Sequence, residues 1–338
     1  MQLGLLAGEG DRILSVGPPP CAAELTASVE GVHAPLGSAR LCGRRIAGLV
    51  GEAEVIHAWS PAALTAALGA ARLRCLPVVY SLPHLPRAGE LGRLVELSAA
   101  GMLTLTVPTE ASREALLRAG AAAAGVCVLP PAAAGIPNRD ELRSRTRELL
   151  GLAESDFLLV APGEMARDAG HMHAAWAQAM VRHVRGDLKL LLPGTGQALR
   201  AVEFFSARTG FGDEVLFVED GLGLGESLAA GDAAVFFHTR DSGVSALAAA
   251  MSAGLPIACS NTPDAAECTA AARAAILVPP GEPRAAGAAI LELIENTALA
   301  RRLAEAAKAI ATSRFAPDTC RRSLRRIHDA AAGSPCAA

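Results

Sequence analysis

The sequence predicts a two-lobed α/β protein in which each lobe is built on a doubly wound, parallel β-sheet. Short runs rich in Val, Leu and Ile alternate with alanine-rich helical segments, and this alternation is typical of βαβ units. The 338 residues suffice for two cores of ordinary size. A segment rich in Pro, Ala and Gly at 130–137 divides the alternation into two similar halves and indicates a connection between lobes.

The first half contains five predicted strands and two predicted helices. The strands lie at 12–16, 54–58, 76–81, 102–107 and 126–129. One helix covers 61–71 and begins with Pro61, which suits a first helical turn. The other helix covers 110–119, where Thr109 is a suitable N-cap and Gly120 a suitable end.

The second half repeats the alternation more clearly. We predict strands at 157–161, 188–192, 215–218, 233–237, 255–260 and 275–278. We predict helices at 140–150, 172–184, 243–253, 284–295, 298–312 and 318–331. Because only 3% of the residues are aromatic and 51% are hydrophobic, we expect these helices to pack closely through alanine.

Charge and cysteine usage exclude several classes of function. The formal net charge of -3 gives no overall basic field, so we do not expect binding to nucleic acid. The arginine clusters at 143–147 and 321–326 are interpreted as solvated faces of helices. No two of the eight cysteines have the C-x2-C spacing of a zinc site. We therefore expect no metal and no disulfide framework, and a cytoplasmic location.

Nothing in the pattern of hydrophobic residues predicts a membrane span. The N terminus lacks the basic, apolar and small-residue order of a signal peptide. The segment 242–263 carries no charge, but Gly254 and Pro256 interrupt it, and alanine and serine dominate its composition. We interpret it as a buried helix, a turn and a strand, and we predict no transmembrane helix.

Three strand ends in the second half carry loops that suit a phosphate-bearing ligand. Ligands of open parallel sheets bind beyond the carboxyl ends of the strands. Gly163 follows the first strand of this half, and Gly194 and Gly196 follow the second, where the backbone can approach a ligand. Residues 241–243, Asp-Ser-Gly, precede a helix whose free amides and dipole favour phosphate. Each signal alone is weak, because a glycine after a strand more often forms a turn.

The order and spacing of these features resemble the group 1 glycosyltransferases from about residue 142 to residue 315. The segment 162–171 lies over the family's loop with the pattern glycine-arginine, then lysine-glycine, and keeps Gly163 and Gly170. Residues 250–256, AMSAGLP, resemble the signature EAMAxGxPV. Glu267 falls on the glutamate of the family's GGxPE pattern.

The resemblance implies a GT-B fold, in which two Rossmann-like domains face each other across a cleft. It places an acceptor-side domain at 1–138, a nucleotide-sugar domain at 139–315, and a C-terminal helix in 316–338 that returns to the first lobe. It implies transfer of a sugar from a nucleoside diphosphate donor, with retention of configuration and without a metal or another cofactor. A glycan, a lipid and a small molecule all stay open as the acceptor, as does peripheral membrane contact.

The first lobe resembles the family more loosely. Residues 55–58, VIHA, are similar to the pattern DviHaH, and residues 78–84, VVYSLPH, are similar to a strand that ends in an acceptor-side histidine. His84 would then face the acceptor, but a loop histidine between prolines explains it equally well. The family's N-terminal glycine-rich loop corresponds to Gly-Pro-Pro-Pro at 17–20.

Several donor-site residues of the family are replaced in this chain. Two family glutamates, separated by seven residues, align with Asp241 and Ala249. The methyl group of Ala249 cannot accept hydrogen bonds from ribose hydroxyls, which implies a loss of about 1–3 kcal/mol in the free energy of donor binding. The family's arginine and lysine align with Glu164 and Ala169, so the cations that stabilise a leaving diphosphate are absent from these positions. Val244 replaces a glycine at the start of the helix.

The residues that remain suggest a division of roles. Asp241 would orient the sugar, although it also suits a helix N-cap, and Arg167 or Arg240 would offset the charge of the diphosphate. His171 and His173 are interpreted as surface or capping residues at the start of a helix. The positions expected to bind the donor through backbone amides, a hydroxyl or a carboxylate are Gly163, Gly194, Gly196, Ser242, Gly243 and Glu267.

Two functions of different classes follow from this pattern. The chain is either a glycosyltransferase or a non-catalytic descendant that binds or scaffolds, and the alanines at 169 and 249 motivate the second alternative. A sugar-nucleotide epimerase of the same fold agrees less well, because the C-terminal signatures match transferases. Side chains of Arg167 and Arg240 directed to solvent, away from Asp241, would count against catalysis.

Overall fold

Alternating strands and helices form parallel sheets in two units of the chain. The computed structural model describes residues 12–16, 28–32, 39–86, 88–210, 212–219 and 221–333. The first unit comprises residues 1–132 and 317–338, and the second comprises residues 133–316. Within the second unit, the amide of Ala133 donates to the carbonyl oxygen of Phe315 at 2.8 Å, so the two ends of this unit are adjacent. The glycine-containing segment expected at 17–20 lies outside the described residues.

The first unit contains two parallel sheets. The strands are β1 (Arg12–Val16), β2 (Ser28–Val32), β3 (Ile56–Ala58), β4 (Val78–Ser81), β5 (Thr104–Val107) and β6 (Val126–Val128). The helices are α1 (Ala39–Leu49), α2 (Pro61–Arg74), α3 (Ala88–Ala99), α4 (Glu110–Arg118) and the C-terminal helix, numbered α13 (Pro317–Ala332). Strand β1 pairs with β2, and the second sheet has the order β3-β4-β5-β6.

The structure confirms the strands and helices predicted for the first half and adds β2, α1 and α3. The two additional helices each contain two glycines, which lower helix propensity and hide the pattern. In α1 the glycine at position 43 has a packing reason. A Cβ atom there would lie 2.9 Å from the Cα of Gly69, so the absence of a side chain lets α1 and α2 approach closely.

The second unit contains one sheet of six parallel strands. The strands are β7 (Phe157–Val160), β8 (Leu188–Pro193), β9 (Val215–Val218), β10 (Ala233–Phe236), β11 (Ile257–Ser260) and β12 (Ile276–Val278). The helices are α5 (Arg139–Leu149), α6 (His171–Arg182), α7 (Leu199–Arg208), α8 (Leu224–Ala230), α9 (Val244–Ser252), α10 (Pro263–Cys268), α11 (Pro283–Glu295) and α12 (Thr297–Arg314). The strand order is β12-β11-β10-β7-β8-β9.

The strands predicted for the second half are all present, and so are its predicted helices. Helices α7, α8 and α10 were not predicted from the sequence. They are short, and the N-cap of α7, Ala198, offers no side-chain oxygen to mark its start. The central strands β10 and β11 are buried along their whole length, because helices cover both faces of a parallel sheet.

One arginine cluster is not a solvated helix face, contrary to the sequence-based interpretation. Arg147 is buried, and Arg143 and Arg147 of α5 both pair with Asp232, which directly precedes β10. The second oxygen of Asp232 also accepts the amide of Leu158 in β7, at 2.8 Å. This ionic cluster fixes α5 to the start of two central strands, and no helical periodicity could reveal it.

The C-terminal helix α13 packs within the first unit. Its apolar side chains Cys320, Leu324 and Ile327 are buried in one cluster with Val79 of β4 and Leu129. Three arginines on the other side, at 322, 325 and 326, are exposed, in agreement with the interpretation of that cluster as solvated. Among the helices in the described ranges, none is both long and apolar enough to cross a membrane.

Candidate functional site

The strand order of the second unit creates a crevice at one point of the sheet. The chain runs from β7 outward to β8 and β9, and then returns to place β10 on the other side of β7. The loops that follow β7 and β10 therefore diverge at the carboxyl edge of the sheet. Such a switch in direction is the usual ligand position in doubly wound sheets.

The loops after β7 and β8 are joined by backbone hydrogen bonds. The amide of Met165 donates to Thr195 at 2.9 Å, and the amide of Ala198 donates to Met165 at 2.7 Å. A Cβ atom at Gly196 would lie 2.6 Å from the carbonyl oxygen of Met165, so only glycine fits there. A Cβ atom at Gly194 would meet the carbonyl oxygen of Gly163 at 3.2 Å. The three glycines selected from the sequence thus lie together.

The loops after β7 and β10 are joined in the same way. The amide of Thr239 donates to the carbonyl oxygen of Asp168 at 3.0 Å. A Cβ atom at Gly170 would overlap the carbonyl oxygen of Phe237, so this glycine permits contact between the two backbones. The three loops thereby form one continuous, hydrogen-bonded surface at the switch point.

Helix α9 begins beside this surface. Its N-cap, Gly243, has a left-handed backbone with φ of +71°, and its first turn offers free amides. The carboxylate of Asp241 does not cap α9. It accepts the amide of Asp264 at 2.9 Å, in the first turn of α10, while the hydroxyl of Ser242 lies 3.5 Å from the carbonyl oxygen of Arg240. Asp241 therefore binds an amide in the first turn of α10, the following helix, and not one of α9.

Arg167 and Arg240, the two arginines expected to offset the charge of the diphosphate, have different surroundings. The side chain of Arg240 is 47% exposed and pairs with Asp168 across 3.7 Å. Arg167 is exposed, and no ion pair holds it among the described residues. Among those residues neither arginine forms a salt bridge with Asp241, although the pair of Arg240 with Asp168 brings Arg240 next to the loop that carries Arg167.

The remaining carboxylate and alanine positions are explained by packing. Glu267 accepts a hydrogen bond at 2.9 Å from Arg314 of α12, which also donates to the backbone oxygen of Glu267. Ala249 is 6% exposed and belongs to the core around α9. Glu164 is exposed and Ala169 is half-buried. Neither side chain is a cation, so these two positions supply no positive charge.

Two histidines form a part of the site that sequence reasoning missed. His171, interpreted from the sequence as a surface or capping residue, is 3% exposed, and α6 is capped without its side chain. His238 follows β10 and is 8% exposed. Burial lowers the pKa of both imidazoles to about 4. The one signal in the sequence is Gly170, directly before His171. A glycine is needed there because the backbone of Phe237 occupies the space of a side chain.

His84 lies in the first unit, in the loop after β4, and is exposed. A different histidine of that unit, His57 of β3, is linked to its neighbours. Its Nε2 atom lies 2.8 Å from the hydroxyl of Ser81, and its Nδ1 atom lies 2.9 Å from His328 of α13. Burial, followed by repulsion from His328, lowers the pKa of His57 to about 3. This chain of polar contacts fastens α13 to the sheet.

Clusters of three or more His, Cys, Asp or Glu side chains that could hold a metal ion are absent from the described parts of the chain. The five cysteines that the structure describes as free are Cys75, Cys127, Cys259, Cys268 and Cys320. The groups at the switch point include backbone amides, the carboxylates of Asp168, Asp241 and Glu267, two exposed arginines and two buried imidazoles.

Comparison with known proteins gives a family match for most of the second unit. Residues 156–296 match the family model described as "Glycosyl transferases group 1". No curated protein sequence matches the chain. Solved structures are similar in fold across most of the chain, at sequence identities of 22% or less.

Three structures illustrate the similarity. HepE of Anabaena, in complex with UDP and glucose, has a TM-score of 0.77 and 20% identity, covering 90% of this chain and 86% of HepE. A glycosyltransferase from Rickettsia africae has a TM-score of 0.72 and 13% identity, covering 91% and 86%. WaaG, a glycosyltransferase involved in lipopolysaccharide biosynthesis, has a TM-score of 0.69 and 17% identity, covering 96% and 91%.

The similar structures confirm the fold class expected from the sequence, and the family match falls within the segment whose motifs resemble the group 1 glycosyltransferases. The parallel sheets of four and six strands agree with the GT-B fold of the similar structures. The family match covers the strands whose loops build the crevice, from β7 to β12. The chain is therefore a protein of GT-B fold in which residues 156–296 match the family model of group 1 glycosyl transferases.

Proposed function

We propose that the chain binds a nucleoside diphosphate sugar at the switch point of the second unit and transfers the sugar to an acceptor. The observation that carries this proposal is the continuous surface formed by the loops after β7, β8 and β10, beside the free amides of α9. The family match supports it. Structures of HepE with UDP-glucose, and with UDP and glucose, agree with a donor of this class.

The roles of the donor-site residues follow from their contacts. The backbones at Gly163, Gly194 and Gly196 would approach the donor, and Ser242 with Gly243 would present the start of α9 to the phosphates. One carboxylate oxygen of Asp241 accepts the amide of Asp264, which leaves the other to orient the sugar. Glu267, held by Arg314, would contact the sugar or the nucleotide from the neighbouring helix.

Charge on the leaving diphosphate would be offset by Arg240, with Arg167 as the second cation. The pair between Arg240 and Asp168 is long and largely exposed, so it is worth about 0–1 kcal/mol. Arg240 can therefore exchange Asp168 for a phosphate at little cost. Helix α9 adds its dipole, so this mechanism needs no metal, and we expect retention of configuration.

The acceptor side of the proposal rests on His84, in the first unit. A glycan, a lipid or a small molecule stays open as the acceptor, and so does peripheral contact with a membrane. We propose a cytoplasmic location, because the described cysteines are free thiols, as a reducing compartment would leave them.

A second candidate function is donor binding without transfer. It is favoured by the engagement of both surviving carboxylates, since Asp241 is bound to the first turn of α10 and Glu267 to Arg314. The buried methyl group of Ala249 offers nothing to a ribose. Such a chain would keep the domain as a sensor or scaffold.

Calorimetric titration with UDP, GDP and ADP, followed by donor-hydrolysis assays, tests these alternatives. Binding with release of sugar from the donor would support a transferase, and binding without release would support the sensor. Absence of binding to all three nucleotides at millimolar concentration would overturn the proposal. Arg240→Ala should weaken binding about tenfold, whereas Arg200→Ala, which removes an exposed arginine of α7, should leave it unchanged.

A further inference from the structure

His171 and His238 lie on the two sides of the switch-point crevice and are brought together by the backbone. His171 is the first residue of α6, directly after Gly170. A Cβ atom at Gly170 would lie 2.7 Å from the amide nitrogen of His238, so the two chain segments touch where the histidines begin. Both side chains are more than nine-tenths buried. The two histidines are therefore buried where the loops after β7 and β10 contact each other.

The imidazole of His238 lies under the first turn of α9. A Cβ atom at Gly243 would come within 2.6 Å of both Cε1 and Nε2 of the ring. The ring is also stacked with Phe236, with 6.2 Å between centroids. His238 consequently sits directly beneath the free amides that the proposed function assigns to the phosphates.

At neutral pH both imidazoles are uncharged. Burial, followed by repulsion from His238, lowers the pKa of His171 to about 4, and burial lowers the pKa of His238 to about 4. Bonds to the backbone of Ala161 and Phe236, and the charge of Asp168 beside His238, act in the opposite direction. The Nδ1 atom of His171 is buried without a hydrogen-bond partner in the described structure.

An anion at the start of α9 would change this balance. An opposite charge within about 4–6 Å raises an imidazole pKa by about 1–3 units, which brings it toward neutral pH. Other charged groups of the proposed donor site are Arg167, Asp168, Arg240, Asp241 and Glu267. Asp168 is paired with Arg240, Asp241 accepts the amide of Asp264, Glu267 is paired with Arg314, and Arg167 is exposed. The resemblance to the family leaves Glu164 and Ala169 where cations are expected, so the diphosphate needs another source of positive charge.

We propose that His171 and His238 compensate the charge of the donor diphosphate by taking up a proton when the nucleotide binds. This inference rests on the proposed function. The histidines act through the first turn of α9 and do not touch the reacting atoms, so they are positioning residues. Binding of the nucleotide should consequently strengthen as the pH falls from 8 toward 6.

Calorimetric titration of the full chain with UDP, in two buffers of different ionisation enthalpy, measures this uptake. At pH 6.5 we expect about half a proton or more per UDP bound, and an affinity several times higher than at pH 8. His238→Gln and His171→Gln should each reduce the uptake and flatten the pH profile. His183→Gln removes an exposed histidine after α6 and should change neither. Protonation of the phosphate itself is common to all variants and cancels in the comparison.

The outcomes separate the two proposals. Tight binding of UDP with the same proton uptake in His238→Gln as in the native chain would overturn this inference and leave the proposed function standing. Absence of binding by UDP, GDP and ADP alike would overturn both. If the buried variants fail to fold, NMR of ¹³Cε1-labelled histidine in the native protein gives the answer. Two buried resonances should move toward the imidazolium position when UDP is added, and unmoved resonances would contradict the inference.

Discussion

At the scale of single residues, the glycines around the crevice are required because backbone atoms of neighbouring loops occupy the space of a side chain. Gly170 and Gly196 meet the carbonyl oxygens of Phe237 and Met165, respectively. These contacts, and not conformational freedom alone, hold the three loops in one surface. Removal of one contact should therefore disturb both stability and the proposed donor site.

Gly170→Ala should lower the free energy of unfolding by about 3 kcal/mol or more, measured by urea denaturation. A left-handed backbone costs an alanine about 1–2 kcal/mol, and the overlap with Phe237 adds about 1–3 kcal/mol. Gly281→Ala is the matched control. Its φ of +77° is close to the +81° of Gly170, but nothing lies within 4 Å of its Cβ position. Equal losses in the two variants would show that the loops do not touch at Gly170.

The buried histidines make the stability of the chain dependent on pH. Their pKa values are about 4 in the folded state and about 6.5 when unfolded, so below pH 6.5 the unfolded chain binds the additional protons. The stabilisation is complete above pH 6.5 and is lost as the pH falls toward 4. Each histidine should remove about 1.4 kcal/mol per pH unit in this window.

Urea denaturation at pH 7.5 and 5.5 should therefore show a loss of about 3 kcal/mol from His171 and His238 together. In the double variant with His171→Gln and His238→Gln this difference should shrink. A native chain that is equally stable at both pH values would show that these imidazoles are accessible to protons in the folded state. Carboxylates contribute little to the comparison, because they titrate mostly below pH 5.

At the scale of secondary-structure elements, helix α5 is fixed to the central sheet by charge as well as by packing. Asp232 receives Arg143 at 2.5 Å, Arg147 at 3.2 Å and the amide of Leu158 at 2.8 Å. Arg147 also donates to the backbone of Ala153, at 3.0 Å. One carboxylate thus connects α5, the start of β7 and the start of β10.

Asp232→Asn should lower the free energy of unfolding of the second unit by about 2–4 kcal/mol, because it leaves buried Arg147 without its counter-charge. The comparison is Asp187→Asn, which breaks a pair with Arg185 in which both side chains are one-third exposed. That variant should lose at most about 1 kcal/mol. Similar losses in thermal or urea unfolding would mean that the Asp232 cluster acts as an ordinary surface pair.

At the scale of the whole molecule, the chain leaves the first unit, builds the second, and returns. Helix α13 covers one face of the four-stranded sheet of the first unit, where Leu324 and Ile327 are buried. The contact between His57 and His328 adds a polar attachment at the same place. The last helix is therefore part of the core of the first unit.

Deletion of residues 317–338 should unfold the first unit and leave the second unit folded. Loss of the buried side chains of α13 exposes Val79 and Leu129 to water. Hydrogen exchange measured by mass spectrometry should show fast exchange in β3 to β6 and continued protection in β7 to β12. Persistent protection of β3 to β6 in the shortened chain would show that the first unit is stable without α13.

The sequence predicted the course of the backbone better than the surroundings of the side chains. The alternation of strands and helices predicted the fold class, and the glycines at 163, 194 and 196, selected from the sequence, lie in loops that contact each other. The surroundings of the charged residues were not predicted. The sequence left two roles open for Asp241, orienting the sugar or capping its own helix, whereas its carboxylate accepts a hydrogen bond from the first turn of α10. Arg143 and Arg147 were expected in solvent, whereas both pair with Asp232.

The sequence by itself determined the order of elements and the loops that meet at the crevice, because periodicity, proline and glycine act over a few neighbouring residues. Only the tertiary structure decided which side chains are charged, paired or neutral. Asp232 and Arg147 are 85 residues apart, and His171 and His238 approach through backbones from different strands. Burial and ion pairing depend on such distant neighbours, and no local pattern encodes them.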